Sequence, residues 1–344
     1  MLLTPGLHLS FYDPCIARPV PNSLEERRHT ILRLSFPERI TGLKGKEQGG
    51  GRITPAEEIN DPYKDFRDQI WRFYRVHGRD LPWRHTCDPY RVLVSEVMLQ
   101  QTGADRVKSR YELFLARFPD FPTLAKATTE QVLAAWQGLG YNRRALSLKS
   151  LAERVTDDFS GCLPDDERQL RDLPGIGPYT AAAILVFAFN QPVMMIETNI
   201  RRVFIHCFFQ DRTGIDDCEI RPLVRDTLDS GDPRGWYNAL MDYGASLSTL
   251  AENPNRRSRH YQRQGPFEGS ARQKRGRILR ILLESGQIAE TVLCGNLDIS
   301  QAAIEPVLRG LEEEGFIECH KGMVSICSRR RKKEAYPPAR RRGE

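Results

Sequence analysis

One acidic side chain stands out by its setting. Glu96 lies in Ser95-Glu96-Val97-Met98-Leu99-Gln100-Gln101-Thr102, on a helical pattern whose neighbouring inward positions, Val94, Val97 and Met98, are apolar. A carboxyl buried on such a face loses hydration, so its pKa should rise and it should donate a proton near neutrality. Taken alone, a solvated helix glutamate is the plainer reading of this residue. The second candidate is Leu173-Pro174-Gly175-Ile176-Gly177-Pro178-Tyr179-Thr180, immediately before the apolar run from Ala181 to Phe189. Gly175 and Gly177 permit a tight hairpin with outward-facing backbone N–H groups. Those groups and the following helix N-terminus suit a phosphate without reading any base, and Thr180 stands beside them. Gly-x-Gly by itself also recurs in ordinary packing turns. The remaining clusters are Leu81-Pro82-Trp83-Arg84, Asp88-Pro89-Tyr90 and Gly138-Leu139-Gly140-Tyr141.

The elements that must position these residues are helices. From Asp61 to about Gln264 apolar residues recur at helical spacing: Ile70, Phe73 and Tyr74, then Val94, Val97 and Met98, then Val132, Leu133 and Trp136. Turns fall at Phe118-Pro119, Gly138-Leu139-Gly140 and Leu173-Pro174-Gly175, and alternating strand patterns are missing, which predicts about ten short helices. A polar stretch from Asn253 to Ser270 precedes a smaller unit. Its helices are predicted around Ile278–Leu282, Thr291–Cys294 and from an N-capping Ser300 through Leu311. A hairpin of Phe316–Glu318 and Met323–Ile326 then flanks His320-Lys321-Gly322. Three helices and a hairpin make a winged helix-turn-helix. The division predicted is a poorly ordered extension over 1–60, a helical domain over 61–265, a winged-helix-like domain over 270–327 and a basic tail over 328–344.

Composition narrows the function classes. The chain has 344 residues and is 40% hydrophobic, enough for a sizeable core. No stretch approaches the roughly 18 apolar residues of a membrane span, and the opening segment, interrupted by Pro5 and Pro14, does not read as a signal peptide. Eight scattered cysteines form no Cys-x-x-Cys, so a zinc ribbon is unsupported and reduced thiols are expected. The net charge is +6, and the tail after Cys327, with eight basic against two acidic residues, equals it. Any nucleic-acid-binding face must therefore be locally basic. In the small unit the predicted third helix carries Glu305 and Glu312-Glu313-Glu314, which phosphate would repel. The first, with Arg272, Lys274, Arg275, Arg277 and Arg280, is the better DNA contact.

Together these clusters resemble the helix-hairpin-helix DNA glycosylases, and within them the MutY-type adenine DNA glycosylases, over about residues 70–248. Leu-Pro-Trp-Arg, Ser-Glu-Val-Met-Leu-Gln-Gln-Thr, Gly-Leu-Gly-Tyr and Leu-Pro-Gly-x-Gly-x-Tyr-Thr keep that family's order. The resemblance implies an all-α glycosylase fold and a catalytic role for Glu96. Glu197 falls where the family has an aspartate, with Asn199 beside it. Tyr179 stands where bifunctional relatives carry a lysine, which implies a monofunctional enzyme. Trp83 and Arg84 match base-pocket residues, Gln101 and Tyr141 the wedges that enter the duplex, and Gly175, Gly177 and Thr180 the phosphate-holding hairpin.

Extruding a base costs a few kcal/mol, offset by wedge stacking and a shaped pocket. Breaking an N-glycosidic bond then creates a cationic sugar that needs a carboxylate nearby. The implied partner is double-stranded DNA with a mismatched or damaged base, bound by a monomer in the cytoplasm at the nucleoid, with no membrane.

Three departures from the family are visible. Glu197 is one methylene longer than aspartate. The four-cysteine iron–sulfur pattern falls on Ser248, Asn255, Ser258 and Gln264, so no metal cofactor is expected, although a monovalent cation at the hairpin is compatible. The winged unit stands in place of a Nudix-like domain, and Asn142 follows Tyr141 where a second tyrosine is usual. Removal of adenine opposite G or 8-oxoguanine is the implied function. A thymine/uracil mismatch glycosylase and a non-catalytic lesion binder remain the alternatives.

Overall fold

The computed structural model describes residues 61–249, 252–263 and 265–328. The extension expected over 1–60 and nearly all of the expected tail lie outside the described residues. From Lys64 to Leu247 the chain forms eleven α-helices: α1 (Lys64–His77), α2 (Pro89–Leu99), α3 (Ala104–Arg117), α4 (Phe121–Lys126), α5 (Thr129–Trp136), α6 (Arg143–Asp158), α7 (Glu167–Arg171), α8 (Pro178–Phe187), α9 (Thr198–Phe208), α10 (Asp217–Thr227) and α11 (Pro233–Leu247). Short 3₁₀ turns cover Pro82–Arg84 and Pro254–Arg257.

Local chemistry sets many of these boundaries. Asp88 caps α2 by accepting from Arg91 N at 2.9 Å, with Pro89 opening the helix. Thr128 with Gln131, and Asp216 with Glu219, form capping boxes at α5 and α10. Helix α8 is apolar all round and buried at every position from Thr180 to Phe187, which makes it the central helix of the bundle. The core is aromatic, with Phe66, Tyr111, Phe114, Trp136, Phe204, Trp236, Tyr237 and Tyr243 fully buried. Gly244 of α11 lets α9 approach closely, because a Cβ there would sit 2.3 Å from Asn199 O.

The small unit contains α12 (Ala271–Ser285), β1 (Ile288–Ala289), α13 (Glu290–Leu297), α14 (Gln301–Glu313), β2 (Ile317–His320) and β3 (Met323–Ile326). These are the elements expected of a winged helix-turn-helix. The sheet is antiparallel in the order β1-β3-β2, with Ile317 opposite Ile326 and Cys319 opposite Val324. Strand β2 runs on through His320, so the hairpin turn is Lys321-Gly322 alone. Both residues have positive φ, as a two-residue type I′ turn requires. Strand β1, two residues pairing Ile288 with Val324, is too short to leave an alternating pattern in the sequence. Ser300 precedes α14, but its side chain makes no capping hydrogen bond.

Candidate active site

Glu96 sits on α2 with only 6% of its surface exposed, among Val92, Leu93, Val97 and other apolar residues. Tyr179, in the first turn of α8, donates its hydroxyl to Glu96 Oε2 at 3.3 Å, a long bond that compensates little. Burial therefore dominates and pushes the carboxyl up to about 7, against the Tyr179 bond and with further upward pressure from Glu197. Burial and the same two carboxylates raise the Tyr179 hydroxyl well above its ordinary range, so it remains a donor.

Glu197 is the N-cap of α9. Its Oε1 accepts from the backbone N–H of Asn199 at 2.7 Å and of Ile200 at 2.9 Å, while Oε2 accepts from Asn199 Nδ2 at 3.2 Å. Burial raises its pKa, and those two backbone donors, with the Arg202 and Arg201 guanidiniums, oppose the rise. The helix N-terminus further favours the anion. Glutamate thus reaches both first-turn amides despite its extra methylene, and its second oxygen is held by the neighbouring amide side chain. Arg202, buried, extends this support. It donates to Asn199 Oδ1 at 2.7 Å, to Gly244 O at 2.6 Å and to Asn253 Oδ1 at 3.1 Å.

Glu96, Tyr179, Glu197 and Asn199 line one cavity of about 630 Å³, together with Trp83, Arg84 and Gln101. That volume lies within the range of small-molecule sites. Trp83 is 8% exposed and its ring packs edge-on against Tyr111. Arg84 lines the cavity as expected and is also anchored by an ion pair. Its guanidinium forms a bidentate pair with Asp242 at 2.7 and 2.8 Å, and Arg79 adds a third charged bond at 2.6 Å. Burial would raise the Asp242 carboxyl, but Arg84 and Arg79 hold it below its ordinary range. Arg84 therefore lines the cavity while tying the Leu-Pro-Trp-Arg turn to α11.

Of the predicted wedges, Gln101 lines this cavity and Tyr141 lies in the Gly138–Arg144 loop, both in strained backbone. Gln101 has φ 55° and Tyr141 φ 48°, values that cost a residue with a Cβ about 1–2 kcal/mol. Arg144, which sequence reasoning missed, holds both. It is buried and donates to the carbonyls of Met98 (2.7 Å), Gln100 (2.6 Å) and Gly140 (2.9 Å) and to Thr102 Oγ1 (2.9 Å). Its guanidinium also lies 5.5 Å from the Tyr141 ring centre. Burial pulls its pKa down to about 10, so it stays charged.

In the hairpin, Gly175 (φ 80°) and Gly177 are exposed, and Gly177 is the N-cap of α8. A Cβ on Gly175 would lie 2.8 Å from Ser147 Cβ. Thr180 is a correction: it is 4% exposed and its hydroxyl accepts from Gln100 Nε2 at 3.2 Å, so it fastens α8 to the end of α2 instead of facing a phosphate.

Residues 94–221 match the model of the HhH-GPD superfamily base excision DNA repair proteins. The adenine DNA glycosylase of Mycobacterium tuberculosis is 34% identical over 255 residues, 67% of this chain and 82% of that protein. The chain belongs to the HhH-GPD superfamily. It is a DNA glycosylase, with Glu96 and the Tyr179 hairpin inside the matched span. A thymine/uracil-DNA glycosylase of Methanothermobacter thermautotrophicus is 32% identical over 194 residues, 56% of this chain and 88% of that protein. Among solved structures, a thermostable thymine-DNA glycosylase superposes with a TM-score of 0.50 at 30% identity, covering 56% of this chain and 89% of that one.

Where four cysteines would hold an iron–sulfur cluster, Ser248 and Ser258 supply hydroxyls and Asn255 an amide. Gln264 lies outside the described residues. This donor set does not fit a cluster that needs thiolates. The loop is joined to the bundle by hydrogen bonds instead. Asn255 Nδ2 donates to Thr198 O at 2.9 Å, Arg259 N to Ile215 O at 2.9 Å, and Arg257 to the carbonyls of Phe209 and Gln210.

Proposed function

We propose that the chain is a monofunctional, cluster-free glycosylase that removes a mispaired adenine from duplex DNA. The observation that carries this reading is Glu96, a buried carboxyl raised to about 7 in the same cavity as a second carboxylate capped by a helix. In the neutral form Glu96 donates its proton to a ring nitrogen of the extruded adenine. The electron pair of the N-glycosidic bond then leaves with the base. Positive charge develops at the anomeric carbon and ring oxygen of the sugar, and Glu197 supplies the fixed anion that stabilises it. Water adds to that carbon, the Glu96 carboxylate takes the water's proton, and the products are free adenine and an abasic site. Tyr179 supports the monofunctional assignment, since a phenol cannot form the imine by which a lysine cuts the strand.

A purine favours this acid, because thymine and uracil offer only carbonyl oxygens as acceptors. The match to the Mycobacterium protein, spanning most of its length, points the same way. The likeness to thymine glycosylases keeps a thymine mismatch as the second reading. Duplexes carrying A opposite G, A opposite 8-oxoguanine, T opposite G and U opposite G, each analysed with and without alkali, separate the two. Cleavage only at adenine and only after alkali is expected. Release of thymine, or borohydride-trapped strand scission without alkali, overturns the adenine or the monofunctional assignment respectively. Purified protein should contain no stoichiometric iron, and stoichiometric iron refutes the cluster-free reading.

A further inference from the structure

A second cavity, of about 1330 Å³, separates the Gly138–Arg144 loop and the Pro174-Gly175 turn from helix α12 of the small unit. Gln100 and Gln101 line both this groove and the catalytic cavity, so the two lie on opposite sides of one thin wall. The groove is strongly basic: seven arginines line it against one carboxylate, Glu314. That carboxylate is already paired with Arg275 at 2.7 Å and Arg143 at 3.5 Å, and the pair joins the small unit to α6. Arg272 donates to the Tyr141 hydroxyl at 2.8 Å and lies 5.9 Å from its ring centre, so α12 touches the wedge directly. Arg106, Arg277 and Arg280 are exposed around the rim. The basic side of α12 thus faces the glycosylase unit, across a gap, and not outward as an independent reader would present it. Helix α14, with Glu305 paired to Arg309 at 2.7 Å and further acids at its end, carries no comparable basic face.

We propose that this groove holds the sugar–phosphate backbone of the strand opposite the excised base, which makes the small C-terminal unit one jaw of the lesion clamp. The inference rests on the reading that the catalytic cavity takes the extruded base. One strand then turns into the smaller cavity, and its partner stays beyond the Gln101–Tyr141 wall, where the arginines are. Arg272 fixes the Tyr141 ring against that partner strand, and Arg277 and Arg280 meet its phosphates.

The test is binding by the full-length protein, with no excision required. Wild type and the Arg277→Ala, Arg280→Ala double variant are titrated with a duplex carrying a central A–G mismatch. The same duplex is then used with neutral methylphosphonate linkages near the mismatch on one strand or the other. The double variant should bind about 30-fold more weakly, and the slope of log affinity against log salt should fall by about 2, as expected for two lost phosphate contacts. Neutral linkages on the strand opposite adenine should weaken wild type about tenfold but the variant less than twofold, whereas on the adenine strand both proteins should lose equally. The Arg277→Lys, Arg280→Lys variant should recover most of the affinity. Unchanged affinity in the alanine variant, or non-additivity on the adenine strand, overturns the proposal. If the opposite-strand effect appears but no base is released from any duplex, the groove stands and the catalytic reading falls.

Discussion

Two carboxylates share one cavity and are held in opposite ways. Glu96 lies in the middle of α2, where helix backbone groups are already paired, and it has one long bond from Tyr179. Glu197 lies at the start of α9, where two unpaired backbone amides point at it and Arg202 stands behind through Asn199. Burial acts on both, but Glu96 has only the long Tyr179 bond to favour its charge, whereas Glu197 has two backbone amides and the nearby Arg202 and Arg201 guanidiniums. On the proposed mechanism, position within a helix separates the roles: the mid-helix carboxyl gives up a proton and the helix-capping carboxylate faces the cation.

The contrast is broken most severely at Glu96. Glu96→Gln should lower single-turnover excision by about a thousandfold while duplex affinity is retained. The same change should stabilise the fold. With a folded pKa of about 7 against a usual value near 4.5, native Glu96 binds more protons than the unfolded chain between those pH values. Folding stability is accordingly lost as pH rises through that window. At pH 8 Glu96→Gln should therefore raise stability by about 2 kcal/mol in denaturant melts, and a loss there would contradict the burial argument.

At Glu197 the expected effect is smaller. Glu197→Gln should slow single-turnover excision by about 100-fold with affinity nearly unchanged, since the lost interaction forms mainly in the transition state. Glu197→Asp, itself a good N-cap, should be neutral or mildly slower. A strong rate increase with aspartate would mark the present site as a degraded copy. A further step down is Gly244→Ala. Its Cβ must displace Asn199, so excision should fall about tenfold and the melting temperature by several degrees, through a shift of the α9 N-terminus. An unchanged rate would show that the placement of Asn199 is not critical.

Much of this arrangement was legible in the sequence where the signal was local. Glu96 was marked by apolar neighbours within one helical turn, the hairpin by its glycines, and the small unit by three helical patterns and a turn. The supporting contacts were not legible, because they join residues far apart in the chain with no periodicity to announce them. Arg84 meets Asp242 across 158 positions, and Arg202 meets Asn253 across 51. Arg144 looked like any helix-start arginine, and only the fold shows it gathering carbonyls from α2 and the Tyr141 loop. The anchoring of Thr180 leaves no local signal for the same reason: its partner, Gln100, lies 80 residues away.

The most direct test of the paired roles is the pH dependence of single-turnover excision in wild type and in Glu197→Gln. Wild-type rate should be level below the Glu96 pKa and fall about tenfold per pH unit above about 7, as the acid loses its proton. Because the Glu197 charge helps to hold that pKa up, its neutralisation should move the falling limb to lower pH while the whole curve drops. A falling limb that stays in place, or a rate that rises with pH, would contradict the assignment of Glu96 as the proton donor beside a charged Glu197.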